Sequence, residues 1–228
     1  MKLYLEMHIE QGPYLDTINE PVGIVTGIAG PVSLKINLYG EAGHAGTVPM
    51  KLRKDPMVGA AEIIQLIESL SSADADAQTV GTVGTIDAFP SGINVIPQEV
   101  EFTIDLRDID LERRDKIVEK IYTKTDEICA NRGLKSNIEK LMDLKPTKCS
   151  KSIVNTMAEL SKELSLNSPE MVSGAAHDAM NLAEITEIGM IFIRCEKGIS
   201  HNPKEWAETD DIGKGTELLA ATLLHYAK

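Results

Sequence analysis

Four of the five histidines stand in glycine- or turn-rich stretches at the ends of segments that read as β-strands: His8, His44, His177 and His201. Imidazole can ligate a metal, move a proton or steady a developing negative charge, and strand ends are where sheets present such groups. Four histidines so placed are expected to share a site. The fifth, His225, lies near the end of an amphipathic helical pattern and is expected at the surface. Residues 3–13 show the pattern most plainly. Apolar and mixed residues run into His8-Ile9-Glu10-Gln11, and Gly12-Pro13 ends the predicted strand. Alternation along a strand puts His8 and Glu10 on one face, with Ile9 behind.

Histidines at strand ends of an acidic α/β chain suggest a zinc hydrolase. A catalytic zinc takes about three protein ligands and keeps one position open for water. A two-metal site takes more, generally including a bridging carboxylate. The α/β portion offers His8, His201 and, as a third candidate, His177. There is no HxH, HExxH or HxxE signature, and no carboxylate stands as the bridge or as the base that would activate water. The ligand set reads as incomplete.

The elements that must position these groups follow from periodicity. Residues 22–29 are β-rich and end at Gly30-Pro31, and residues 32–39 alternate as a strand with one wet face should. Residues 40–50 form a loop with three glycines around His44. Asp55-Pro56 is a helix start, a capping side chain followed by proline at the first helical position. Ala60, Ile63, Ile64 and Ile67 form the apolar stripe of that helix, which fades near Ser71. Strands at about residues 79–89 and 99–107 follow, joined by a loop over 90–97. A second helix runs from a cap at Asp110 to a stop at Gly133, with Ile117, Ile121 and Ile128 inward, and residues 136–142 read as one more strand.

The order over residues 32–142 is therefore β-α-β-β-α-β, the ferredoxin-like pattern of one antiparallel sheet with both helices on one face. Its other face or its edge is left for a partner. Beyond it, residues 153–164 pattern as a helix carrying Ile153, Met157, Leu160 and Leu164. Residues 173–180 read as a small-residue loop opening a helix. Residues 190–195 form a continuous apolar run, typical of a strand buried on both faces. A last helix over about 209–226 should turn Ile212, Leu219, Leu223 and Tyr226 inward. The expected architecture is a discontinuous α/β domain, residues 1–29 and 143–228, with a small domain inserted over 30–142.

The bulk numbers narrow the function. A chain of 228 residues with 43% hydrophobic and 25% charged residues can bury a core, and its formal charge of −12 opposes non-specific binding to nucleic acid or an anionic membrane. Aromatic content of 4% weakens base stacking as well. No apolar run reaches membrane-spanning length, and the start lacks a signal-peptide pattern. Cys129, Cys149 and Cys195 are widely spaced with no CxxC pair, as expected for reduced thiols in a cytoplasmic protein.

Six motifs then occur in a telling order: HIEQGP at residues 8–13, GHAGTVPM at 43–50, GINVIP at 92–97, DLR at 105–107, SGAAHDAM at 173–180 and GISHNP at 198–203. Together they resemble the hydantoinase/carbamoylase branch of the M20 metallopeptidase superfamily. That branch includes N-carbamoyl-L-amino acid hydrolases, β-ureidopropionase-type enzymes and allantoate amidohydrolases. The resemblance covers essentially the whole chain but only the C-terminal part of the family's length. Members begin with a long segment that supplies a metal-binding histidine, the bridging aspartate and adjacent glutamates. Met1 stands seven residues before His8, so that segment is expected to have been removed or to be encoded elsewhere.

The resemblance implies two divalent ions (Zn, Mn or Co) in a full-length relative, with His8 a ligand of one and His201 a ligand of the other. Gln11 matches a substrate contact beside the metals. His44 matches the histidine that polarises the scissile carbonyl, and Asn94 a second donor to the oxyanion. Arg107 matches the arginine that grips the substrate carboxylate, and His177 a substrate-facing histidine. Ala176 stands where glycine is more usual and Met7 where leucine is common, neither touching a role. Plain alternatives accompany these roles. Arg107 could pair with Asp105 or Asp108, Asn94 could hold a turn, and His177 could cap its own helix. Gly43 and Gly46 could simply shape a turn.

The implied activity is metal-dependent hydrolysis of N-carbamoyl-L-amino acids or related ureido acids. The inserted domain would serve as lid and homodimer interface. The alternatives are a catalytically inactive dimerisation and substrate-binding fragment, an allantoate amidohydrolase, or an aminoacylase or peptidase of the wider superfamily.

Overall fold

The computed structural model describes residues 3–75 and 77–227. In chain order its elements are β1 (Leu3–Ile9), α1 (Tyr14–Ile18), β2 (Val22–Ile28), β3 (Gly30–Tyr39), β4 (Gly43–His44), a 3-10 turn (Met50–Leu52), α2 (Pro56–Ser71), β5 (Val80–Phe89) and β6 (Val95–Ile96). There follow β7 (Glu99–Asp108), α3 (Leu111–Arg132), β8 (Lys135–Asp143), β9 (Thr147–Lys148), α4 (Lys151–Glu163), β10 (Glu170–Ser173), α5 (Asp178–Leu182), β11 (Glu187–Ile193), a second 3-10 turn (Glu196–Gly198) and α6 (Thr209–Tyr226). The chain divides into two compact units, Met1–Ala29 with Pro146–Lys228 and Gly30–Lys145. The fold is mixed α/β in both.

The first unit is built on a sheet in the order β1-β11-β2-β10, with β9 beside β2. β1 runs parallel to β11, with His8 opposite Phe192, so both strands release their chains at the same end of the sheet. β2 runs antiparallel to β11 and to β9, Ile28 standing opposite Thr147. Ile24, Val25, Met190, Ile191 and Phe192 are buried on the two faces of the sheet, and Ile153 and Met157 of α4 belong to the same core. Burying side chains of this size contributes ~1.5–3 kcal/mol each.

Two local expectations change here. The first strand stops at Ile9 rather than at Gly12-Pro13, because the Glu10 carboxylate turns back to accept from Tyr14 N and Leu15 N, both at 2.8 Å, and starts α1. The short β10 and α1 carried too few residues for a periodic signal. On α6 the buried positions are Asp211, Gly215, Leu218 and Thr222, while Ile212 and Leu223 are exposed. Leu219 and Tyr226 do pack on the core. The helix is turned by about one residue because Arg194 holds the Asp211 carboxylate at 2.8 Å and keeps it on the inner face.

The second unit has a four-stranded antiparallel sheet in the order β5-β7-β3-β8. Strict alternation in β7 sends Val100, Phe102, Ile104 and Leu106 to one face, against Ala60, Ile63 and Ile67 of α2 and Ile117 and Ile121 of α3. Local chemistry fixes both helices. Asp55 caps α2 by accepting from Met57 N with Pro56 inside the first turn, and Asp110 caps α3 by accepting from Arg113 N. Gly133 closes α3 in the left-handed conformation, φ 65°. Arg114, almost fully buried, donates from Nη1 to Gly30 O at 3.1 Å and Leu144 O at 2.6 Å, and from Nη2 to Asp143 at 2.6 Å. It thereby joins the first and last residues of the unit's sheet.

Candidate active site

In the first unit, one group of side chains gathers around His177. Ser173 Oγ lies 2.7 Å from His177 Nε2, and both residues are buried. Glu6 Oε1 is 3.7 Å from Nδ1 of the same ring. Glu6 Oε2 accepts from Ala179 N at 2.8 Å at the start of α5. His8 packs edge-on against His177, ring centroids 4.8 Å apart. Burial pushes the His177 pKa down to about 4; the neighbouring His8 adds to the depression and Asp178 opposes it. The ring is therefore neutral near neutral pH, and its approach to Glu6 is a polar contact rather than an ion pair. His177 sits at the N-cap of α5 but its side chain makes no capping bond, so its expected alternative role as a cap fails.

His8 itself donates from Nδ1 to the Ile9 carbonyl at 2.8 Å, since a carbonyl only accepts. That leaves Nε2 with its lone pair free, the state a metal-ligating imidazole takes when its other nitrogen is tied to a carbonyl.

A second group sits where the chain leaves β1 and β11. Gln11 Nε2 donates to Ser200 Oγ at 3.0 Å and stands 3.4 Å from His201 Nε2. His201 N donates to Glu205 Oε2 at 2.9 Å. Gln11 and His201 both adopt positive φ, 61° and 54°, a backbone state of a few per cent of non-glycine residues that collects at functional loops. Gly198 brings the two loops together: its φ is 68°, and a Cβ there would fall 2.4 Å from Gly12 C. Only glycine fits both demands.

In the second unit, β4 pairs with β6, setting His44 opposite Val95. Ala45 N donates to Asn94 O at 2.9 Å, so the loops of the two expected oxyanion donors are tied together. His44 and Asn94 are both exposed. Gly46 N donates to His44 Nδ1 at 3.0 Å. An amide only donates, so Nδ1 is the bare nitrogen and the neutral ring carries its hydrogen on Nε2. His44 is thus a donor at Nε2, whereas His8 is an acceptor there. Arg107 is half-buried and meets Asp105 through two bonds, Nε to Oδ1 at 2.6 Å and Nη2 to Oδ2 at 3.0 Å, which raise its pKa. Asp108 pairs instead with Arg113 and Thr79.

Sequence reasoning passed over Glu6, Ser173, Ser200 and Glu205. Glu6 had a signal, since it precedes His8 by two on one strand and so shares its face. Ser173 opens the motif that contains His177.

The donors present do not fit a metal ion by themselves. Among the described residues no group of three or more His, Cys, Asp and Glu side chains could hold one. His177 Nε2 is engaged by Ser173, and His8 and His201 offer one nitrogen each.

The chain belongs to Peptidase family M20/M25/M40, which matches residues 1–225. Among its relatives, an N-carbamoyl-L-amino-acid amidohydrolase of Pseudomonas sp. (strain NS671) is 59% identical over 226 residues, covering 99% of this chain and 55% of that protein. An allantoate deiminase of Arabidopsis thaliana is 40% identical over 235 residues, covering 92% and 45% respectively. A crystal structure of an amidase of the hydantoinase/carbamoylase family from Burkholderia multivorans superposes with a TM-score of 0.96 at 32% identity, covering 99% of this chain and 55% of that one. The chain spans about half the length of the curated relatives it matches.

Proposed function

We propose that this chain contributes ligand, polarising and substrate-binding groups to an amidohydrolase that cleaves the linear C–N bond of N-carbamoyl-L-amino acids or related ureido acids. The observation that carries the reading is the opposite tautomers of His8 and His44, one free to ligate through Nε2 and the other free to donate from it. His8 and His201 would each ligate one of two divalent ions (Zn, Mn or Co). Among the described residues no such site is complete, and in this reading the remaining ligands and the water-activating carboxylate would be supplied by polypeptide outside them.

The chain's own part in the reaction is polarisation and orientation. His44 Nε2–H and the Asn94 amide would donate to the carbonyl oxygen as it gains charge, an interaction worth more in the transition state than in the substrate. Arg107, its guanidinium plane set by Asp105, would hold the substrate carboxylate. Gln11 and neutral His177 would border the substrate on the first unit. The second unit would act as lid and as the interface of a homodimer, and the acidic chain would work in the cytoplasm without nucleic acid or membrane.

The test is reconstitution. This polypeptide alone, given Zn²⁺, Mn²⁺ or Co²⁺, is expected to show no hydrolysis of N-carbamoyl-L-amino acids. Supplying in trans the portion of the Pseudomonas relative that lies outside the match should restore turnover, and His201→Ala should abolish it. Turnover by the chain alone that disappears on His201→Ala would overturn the incomplete-site reading. A reconstituted complex that hydrolyses allantoate but no carbamoyl amino acid would redirect the substrate assignment.

A further inference from the structure

The loop that carries His44 rests at both ends on the segment just ahead of α2. At its start, Gly40 packs so closely that a Cβ would fall 2.1 Å from Lys54 O, and Glu41 N donates to that same oxygen at 2.9 Å. At its far end the half-buried Arg53 guanidinium spans the turn after His44. Nη2 donates to Ala45 O at 2.6 Å and Nε to Val48 O at 3.0 Å. The supporting segment is itself fixed, since Asp55 caps α2 and Pro56 is buried in its first turn. Arg53 is therefore anchored to a regular element rather than to another loop.

Gly46 and Thr47 lie between the two carbonyls that Arg53 holds. Within that span, Gly46 N reaches His44 Nδ1 at 3.0 Å, and Thr47 N and Val48 N converge on His44 O at 3.2 Å each. The bond from Gly46 exists only while Nδ1 carries no hydrogen. Whatever holds the Gly46 amide against the ring thus decides which nitrogen is the donor.

We propose that Arg53 is a positioning residue for His44. By bridging Ala45 O and Val48 O it holds the Gly46 amide on Nδ1 and fixes the imidazole as its Nε2–H tautomer. The catalytic consequence rests on the role proposed above for His44; the tautomer itself does not. Lysine keeps the charge but lacks the planar fork that reaches two carbonyls at once, so Arg53→Lys should not substitute. An arginine that merely stapled the loop would lower stability when removed and leave the ring's hydrogen where it was.

The experiment is a long-range ¹H–¹⁵N correlation of histidine ring nitrogens at pH 8, on this chain labelled at histidine. It compares wild type, Arg53→Lys and Arg53→Ala, with His44→Gln for assignment and thermal melts to confirm folding. Wild type is expected to show His44 wholly as Nε2–H. Both Arg53 variants should move Nδ1 toward the averaged position of an unrestrained ring, leaving His225 unmoved. Exchange of the Gly46 amide should quicken by about tenfold or more as the turn opens. A mixed tautomer in wild type, or an unchanged His44 pattern in folded Arg53→Lys, overturns the proposal. Should Arg53→Ala fail to fold, Arg53→Lys alone decides. In the reconstituted enzyme the two readings separate. A tautomer shift in Arg53→Lys alongside full activity of His44→Ala would sink the catalytic role of His44 and keep the positioning role of Arg53.

Discussion

Ser173 Oγ and His177 Nε2 meet at 2.7 Å with both residues out of solvent, and this contact holds the ring against which His8 packs. Ser173→Ala would strand the ring nitrogen and also the Ala175 amide, which donates to the same oxygen at 3.1 Å. Leaving buried polar groups unpaired costs about 1–3 kcal/mol. Urea unfolding of the variant should show a loss of that order, and the His8 ring resonances should shift. An unchanged midpoint would mean that the serine only fills space.

The approach of Gly198 to Gly12 makes a second prediction. Gly198→Ala meets both a positive φ and a backbone atom 2.4 Å from the new carbon. The expected destabilisation is on the order of 2 kcal/mol or more. The reconstituted enzyme should also lose affinity for substrate, because the displaced loops carry Gln11 and His201. A variant with wild-type stability and KM would show that these loops are held by other contacts.

The roles proposed for His44 and Asn94 predict an effect on kcat. His44→Ala or Asn94→Ala in the reconstituted enzyme is expected to lower kcat by roughly 10²–10³-fold, with little change in KM. Equal losses in binding of substrate and of a tetrahedral analogue would argue against oxyanion donation.

Thiol chemistry supplies a check on the fold. Cys129, Cys149 and Cys195 are all buried. Burial pushes the Cys149 thiol up to about 11, opposed by a bond from the Met190 backbone and reinforced by Glu6. Such a group is about one part in a thousand thiolate at pH 8. Folded chain should therefore resist a disulfide reagent at that pH, and denatured chain should release all three thiols. Rapid labelling of Cys149 in the folded protein would contradict its burial in the core of the first unit.

The second unit was legible because its instructions are local. Asp55-Pro56 and Asp110 state where helices begin, Gly133 states where one ends, and β7 alternates without a break. The first unit was harder to read. The face of α6 depends on Arg194, which lies outside the helix, and apolar periodicity could not register an aspartate turned inward. Alternation pairs Glu10 with His8, but its carboxylate caps α1, a contact no strand pattern encodes. The histidines themselves were visible from type and context. Their tautomers were not, because these depend on which backbone group, Ile9 O or Gly46 N, lies within bonding distance of Nδ1.

Where the chain passes from one unit to the other, each unit keeps its own two loose ends side by side. β2 and β9 run antiparallel with Ile28 opposite Thr147, and Arg114 ties Gly30 O to Leu144 O across the opposite cut. The second unit therefore behaves as a cassette. Removing it would leave β2 and β9 ready to be joined by a tight hairpin turn, at little cost in loop-closure entropy.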